Sequence, residues 1–457
     1  MINDLKDFIA INSVASEPTD GAPFGSEIKR AFDLFLEKAK SYGLRVGSDD
    51  GYAVWCEYGE GEKLIGALAH VDVVPVGNGW ATDPFTLTIE DGKMYGRGVS
   101  DDKGPMVAVL HAMKRLAEEK ADLGCRVRLI VGGNEENGSS CIKHYCQNNE
   151  IPSISFTPDS DFPVVASEKG IAHVKLSLPV KADVTALGGY RANVVPDYAE
   201  VDFIDTSPFL ENISSKCEYP SDLLRIKNVA TKLAEDGCAI DDFSFIRDNK
   251  GWKISAKGVS AHGSTPEKGD NAIRKILSLM AGLTLDEGWS KASALARPDA
   301  SKILGIDKQD ASGRLTINVG MMSCENEVLS LTVDFRLPAS VTFDEIKSVL
   351  TEFLPTGSTI DLLHLSSPLF FDEEDILVKT LLSVYAKCTG DYKSKPLHIG
   401  GGTYAKELPN CVGFGAVFPN VDTHMHEADE NYPVADFYKL ENIYYQAIKA
   451  LSKIVIK

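Results

Sequence analysis

Two hydrophobic rhythms divide this chain. Leu64-Ile65-Gly66-Ala67-Leu68-Ala69 is a continuous apolar run, the pattern of a strand buried on both faces. From Pro105 to Glu119 the period becomes helical, with Met106, Leu110, Met113 and Ala117 on one stripe and Pro105 suited to a first turn. Val127 to Val131 reads as a second buried strand, followed by a helix through Ile142 and Tyr145, and Ile154 to Phe156 as a short third. Strands alternating with helices predict an α/β layer with a largely parallel sheet.

The middle of the chain keeps a different beat. In Leu329-Ser330-Leu331-Thr332-Val333-Asp334-Phe335-Arg336-Leu337 the apolar residues fall on odd positions, which predicts one dry and one wet face in an antiparallel sheet. Leu315 to Met321 is expected to pair with this strand through a five-residue link, Ser323 to Glu327. Asp270 to Leu283 reads as an amphipathic helix on the same unit, and past residue 370 the α/β character returns in Ile376–Tyr385 (helix) and Val412–Val417 (strand). The expected fold is therefore a catalytic α/β domain split in sequence, residues 1–168 and 371–457, with mostly parallel sheet and helices on both faces. An α+β domain with antiparallel sheet, residues 169–370, is inserted between its halves.

Length agrees with this division, since 457 residues exceed one ordinary core. With 44% hydrophobic and 25% charged residues the composition is that of a soluble globular protein. A formal net charge of −19 argues against nucleic acid or an anionic membrane as partner, because both reward basic surfaces. Nothing approaches a membrane-spanning apolar run, and charge interrupts the stretch Met1 to Ile9 where a signal peptide would have its apolar core. The nine cysteines are scattered and never spaced Cys-x-x-Cys, which fits reduced thiols in the cytoplasm.

Chemistry gathers where the buried runs end. His70 and Asp72 follow the first run, Glu135 and Glu136 the second, Asp159 the third, and His424 and His426 the last, with Asp101-Asp102-Lys103 between. Ligands in open α/β sheets collect beyond the carboxyl ends of strands, so these side chains are expected to converge. Any one of them alone reads as a surface carboxylate or a satisfied histidine; the whole set reads as a metal site. Imidazole with carboxylate and no thiolate suits zinc, with manganese or cobalt as competitors. Asp72, two residues after His70, is placed to accept the other imidazole N–H. Of the adjacent Glu135 and Glu136, one as ligand and the other as base is the natural division, since neighbouring side chains diverge.

The runs His70-Val71-Asp72-Val73-Val74-Pro75, Gly96-Arg97-Gly98-Val99-Ser100-Asp101-Asp102-Lys103-Gly104, Asn134-Glu135-Glu136-Asn137-Gly138 and Pro158-Asp159-Ser160-Asp161-Phe162-Pro163 resemble the M20 metallopeptidases. The likeness is greatest to their PepV-type bacterial dipeptidase branch, relatives of the carnosinases. That resemblance implies two zinc ions per chain bridged by Asp101, with His70 and Asp159 completing one and Glu136 and His426 the other. His426 is preferred to His424 because His426-Glu427-Ala428-Asp429-Glu430 matches the family's last motif. It also implies Glu135 as general base, activating a metal-bridging water. His262, in Gly258-Val259-Ser260-Ala261-His262-Gly263-Ser264, then matches the lid histidine that stabilises the oxyanion, and Arg336 and Asn193 match lid contacts to substrate.

Gly402 and Thr403, in a triple-glycine turn, are expected to present backbone N–H groups to an anion, and Asp161 to hold the substrate's amino group. Taken together these readings predict a dizinc metallodipeptidase of short peptides with a free N-terminus. It is expected to work as a cytoplasmic monomer whose inserted domain completes the site in cis. The alternative is an M20-type deacylase acting on an acetylornithine- or succinyl-diaminopimelate-like substrate, which would use the same metal chemistry.

Overall fold

The computed structural model describes residues 1–181, 184–204, 226, 228–231, 233, 238–247 and 251–455. The chain forms two compact units, one from Met1–Glu168 with Leu369–Lys457 and one from Lys169–Pro368.

The first unit is built on a nine-stranded mixed sheet. At its centre Leu64–His70 runs parallel to both Arg126–Gly132 and Ile154–Thr157, and Cys411–Gly413 continues the parallel set. Every residue of Leu64–His70 is buried, because both faces are covered. Ala67 and Ala69 pack into a core shared with helices Lys103–Glu118, Ile376–Thr389 and Val434–Leu451, while Leu68 faces Ile142 and Tyr145 of helix Ser140–Asn148. Antiparallel strands flank this parallel centre: Arg45–Asp49 and Ala53–Gly59 on one side, Val165–Glu168 and Leu369–Phe370 on the other. The sheet is therefore more mixed than the apolar runs predicted, because polar residues such as Glu57, Ser167 and Glu168 interrupt the hydrophobic signal of its flanking strands. The expected strand Val412–Val417 is divided into Cys411–Gly413 and Ala416–Val417. Gly415 between them sits at φ +79°, where a Cβ would strike the Phe162 ring at 2.3 Å.

The second unit holds an eight-stranded sheet in which all neighbours are antiparallel. Leu329, Leu331, Val333, Phe335 and Leu337 of strand Val328–Leu337 face a core with helices Ala272–Thr284, Glu287–Leu295 and Phe343–Phe353. The helix starts have identifiable caps: Asn271 accepts from the Arg274 N–H, and Thr342 and Glu345 form a reciprocal capping box. Thr316–Glu325 pairs with Val328–Leu337 as expected, but the link is only Asn326 and Glu327. Both have positive φ, 51° and 60°, as a tight two-residue hairpin requires. Polar Ser323 and Glu325 read as loop residues, yet belong to the strand.

Among the described residues no helix is long and apolar enough to cross a membrane. All eight described cysteines are free thiols, and Cys217 lies outside the described residues.

Candidate metal centre

The first unit brings His70, Asp101, Glu135, Glu136, Asp159 and His426 together. His70 ends its strand and is wholly buried. Its backbone N–H donates to the Asp102 carboxylate at 3.0 Å, and Asp102 stands immediately before helix Lys103–Glu118. Asp159 follows strand Ile154–Thr157, with its N–H donating to Thr157 Oγ1 at 3.3 Å. Strand ends and one helix start thus aim all these side chains at one spot, as open α/β sheets do.

Asp101 divides its two oxygens. Oδ1 lies 3.0 Å from His70 Nε2, which is itself 3.6 Å from Asp159 Oδ2. Oδ2 lies 2.8 Å from His426 Nε2, which is 3.2 Å from Glu136 Oε1. Donor atoms of His70, Asp101 and Glu136 lie within 4.8 Å of one another, as do those of His70, Glu135 and Asp159. His424 stands apart, with Nε2 3.7 Å from Asp422 on the surface.

Asp72 departs in part from its expected role. His70 Nδ1 lies 2.9 Å from the Asp72 backbone carbonyl and 3.4 Å from its carboxylate. The carboxylate instead accepts the N–H groups of Glu135 (3.2 Å) and Glu136 (3.1 Å), one on each oxygen. Asp72 therefore fixes the His70 tautomer largely through its main chain and holds both glutamates through its side chain.

Three carboxyls of this cluster are pushed toward their protonated forms, while Asp101, against its burial, is held low by His426 and His70. Burial first, then Asp159, raises the Glu135 carboxyl well above the usual range, and burial and Asp101 raise Glu136 to about 7. Burial and Asp101 also raise Asp159. Burial would lower His426, but Asp101 and Glu136 outweigh it and lift the imidazole to about 11. Crowded carboxylates that favour their protonated forms are the donor set that a divalent ion would allow to ionise together. Imidazole nitrogen and carboxylate oxygen without a thiolate fit zinc, or manganese or cobalt.

Three of the other expected site residues, Asn193, His262 and Arg336, belong to the second unit. Within the second unit the N–H of Gly263 donates to the Asn193 carbonyl at 2.7 Å, and Gly263 packs so closely on Asp334 that a Cβ would come within 2.7 Å of its carboxylate. Arg336 pairs with that carboxylate through Nε and Nη2 at 3.0 Å. Asn193, His262 and Arg336 thus form one neighbourhood. The expectation of a wet face fails here: Asp334 and Arg336 are buried, and Gly263 packs on the Asp334 carboxylate. His262 is exposed, and its Nδ1 accepts the Ser264 N–H at 3.2 Å, so the neutral ring carries its proton on Nε2.

Thr403 is also corrected. Its N–H and hydroxyl both donate to Glu168, at 2.9 and 2.7 Å, so neither is directed to a ligand. Glu168 is wholly buried, with its carboxyl raised to about 7 by burial. Gly402 is exposed beside it. Asp161 is partly buried and lines a cleft of about 440 Å³ with Lys395 and Phe418. Sequence reasoning assigned no role to Glu430, although it lies inside the last quoted motif; its buried carboxylate receives the backbone of the loop that ends in Asp101.

A two-faced α/β unit that collects histidines and carboxylates at its strand ends, with a separate antiparallel unit inserted, has the make-up of a metal-dependent hydrolase. Residues 66–450 match the model of peptidase family M20/M25/M40, and the chain belongs to that family of peptidases. It is 34% identical over 472 residues to the Bacillus subtilis (strain 168) protein named "Putative dipeptidase YtjP", covering 99% of this chain and 97% of that one. Among solved structures it resembles the M20 metallo-carboxypeptidase Sso-CP2 of Sulfolobus solfataricus, with TM-score 0.58 and 18% identity over 99% of both chains. Human carnosine dipeptidase 1 is similar at TM-score 0.55 and 15% identity, over 99% of this chain and 97% of that one. At those identities the structural likeness speaks for the fold alone.

Proposed function

We propose that this peptidase is a dizinc dipeptidase that cleaves short peptides with a free N-terminus. One observation carries the two-ion reading: Asp101 turns one oxygen to His70, which lies beside Asp159, and the other to His426, which lies beside Glu136. Dipeptidase chemistry is supported by the name of the full-length Bacillus relative.

In this reading His70, Asp101 and Asp159 would hold one ion, and Asp101, Glu136 and His426 the other. Two divalent ions, when bound, would polarise the scissile carbonyl and lower the pKa of water toward about 7. Glu135, anchored through its N–H by Asp72, accepts the proton of the attacking water. As the C–N bond breaks, it returns that proton to the departing amine, leaving a carboxylate and a free amine. The tetrahedral oxyanion needs a further donor. That role is assigned to His262, whose Nε2–H is set by the Ser264 N–H on Nδ1. Arg336, held by Asp334, is assigned the substrate carboxylate, Asn193 a further polar contact, and Asp161 the amino group.

The test is hydrolysis by protein stripped of metal and reconstituted with zinc, manganese or cobalt. The panel holds free dipeptides, a tripeptide, carnosine and two N-acylated amino acids. Metal-dependent cleavage confined to free dipeptides is the expected result. Cleavage of the N-acylated compounds alone would make the protein a deacylase, and cleavage independent of metal would overturn the reading.

A further inference from the structure

We propose that Glu430 is a positioning residue that joins the two ligand-bearing loops of the centre into one rigid unit before any ion binds. The inference rests on the metal-dependent reading above. Glu430 is wholly buried, four residues beyond His426. Its Oε1 accepts from the Ser100 N–H at 2.9 Å, the Ser100 hydroxyl at 3.0 Å and the Asp101 N–H at 3.2 Å. The Gly98 N–H reaches Oε2 at 3.0 Å, and Arg97 Nη1 pairs with Oε2 at 2.7 Å. The link runs through the main chain as well: the Glu430 carbonyl accepts the Gly96 N–H at 3.1 Å, and Arg97 Nη2 donates to the Glu427 carbonyl at 3.1 Å.

One carboxylate therefore gathers the donors of the loop that ends in Asp101, while its own backbone belongs to the loop that carries His426. The division of Asp101's oxygens between His70 and His426 depends on how those loops are set against each other, and Glu430 sets them. Only a group that accepts on both oxygens serves here. Glutamine has the same length but turns an NH2 toward Arg97 or the loop's N–H groups.

The experiment compares zinc affinity of wild type and Glu430→Gln by competition with a chromophoric chelator, after metal-free melting shows that both fold. Partners that orient metal ligands are worth about 10–100-fold in affinity, and a loss of that size is expected. Unchanged affinity in a folded Glu430→Gln protein, with wild type binding zinc, overturns this inference alone. Wild type that takes up no zinc overturns the metal reading and this inference with it. If the variant does not fold, hydrogen exchange of the 98–101 amides in metal-free wild type decides. Protection before zinc is added supports the proposal, and protection that comes only with zinc overturns it.

Discussion

Replacing Glu135 by Gln separates the base from the ligands. Both glutamates reach the centre, Glu135 within 4.8 Å of donor atoms on His70 and Asp159, so an experiment must divide their roles. Asp72 holds the main chain of both residues, and glutamine has the same length, so the backbone should not move. Two like charges no more than 4.8 Å apart repel by at least about 3 kcal/mol at an effective dielectric of about 20. With burial, that repulsion biases Glu135 toward its protonated form in the metal-free chain, which glutamine mimics. Metal-free melting should therefore shift by no more than about 2 °C. Loss of the general base should cost about 10²–10⁴-fold in kcat, or about 3–5 kcal/mol of barrier. The assay is steady-state dipeptide hydrolysis with zinc content determined on the same sample. A loss under about tenfold with both ions retained refutes Glu135 as base, and loss of an ion makes it a ligand instead.

Asp72→Asn turns one of the two acceptors for the Glu135 and Glu136 N–H groups into a donor. Zinc affinity should fall about 10–100-fold, and unchanged affinity in the chelator competition would refute the role given to Asp72. His262→Ala should lower kcat about 10²–10³-fold while leaving zinc content intact; unaltered kcat would remove it from the mechanism. Far from the centre, burial works to raise Asp4, but hydrogen bonds from Tyr42, His111 and Lys38 outweigh it and hold the carboxyl below its ordinary value. A depressed folded value stabilises above the unfolded pKa and is lost as pH falls below about 4. Asp4→Asn should therefore destabilise the metal-free protein more at neutral pH than in acid, as urea unfolding at the two pH values would report; an equal effect at both would refute it.

The candidate centre was legible because its parts are local. A ligand after a buried apolar run needs only the rule that such runs are parallel strands, whose carboxyl ends share one edge of the sheet. Leu64 to Ala69 and Val127 to Val131 obey that rule, and His70 and Glu136 follow from it. The family motifs then ordered the set. What was misjudged depends on partners distant in sequence. Arg336 read as exposed because alternation reports only which face a residue occupies; it is buried against Asp334, on which Gly263, seventy-three positions before Arg336, packs. Thr403 read as an anion donor because nothing near it names Glu168, more than two hundred residues away.

By itself the sequence determined the element types, the gathering of ligands at strand ends, and the change from an α/β to an antiparallel unit. These follow from periodicity and from side-chain chemistry that each segment carries alone. Only the tertiary structure decided how Asp101 divides its oxygens, that the Asp72 carboxylate holds Glu135 and Glu136, and that Glu430 receives the loop from Gly96 to Asp101. Those are hydrogen bonds between residues up to 334 positions apart, directed and short-ranged, and no one-dimensional pattern records which donor a buried carboxylate will meet.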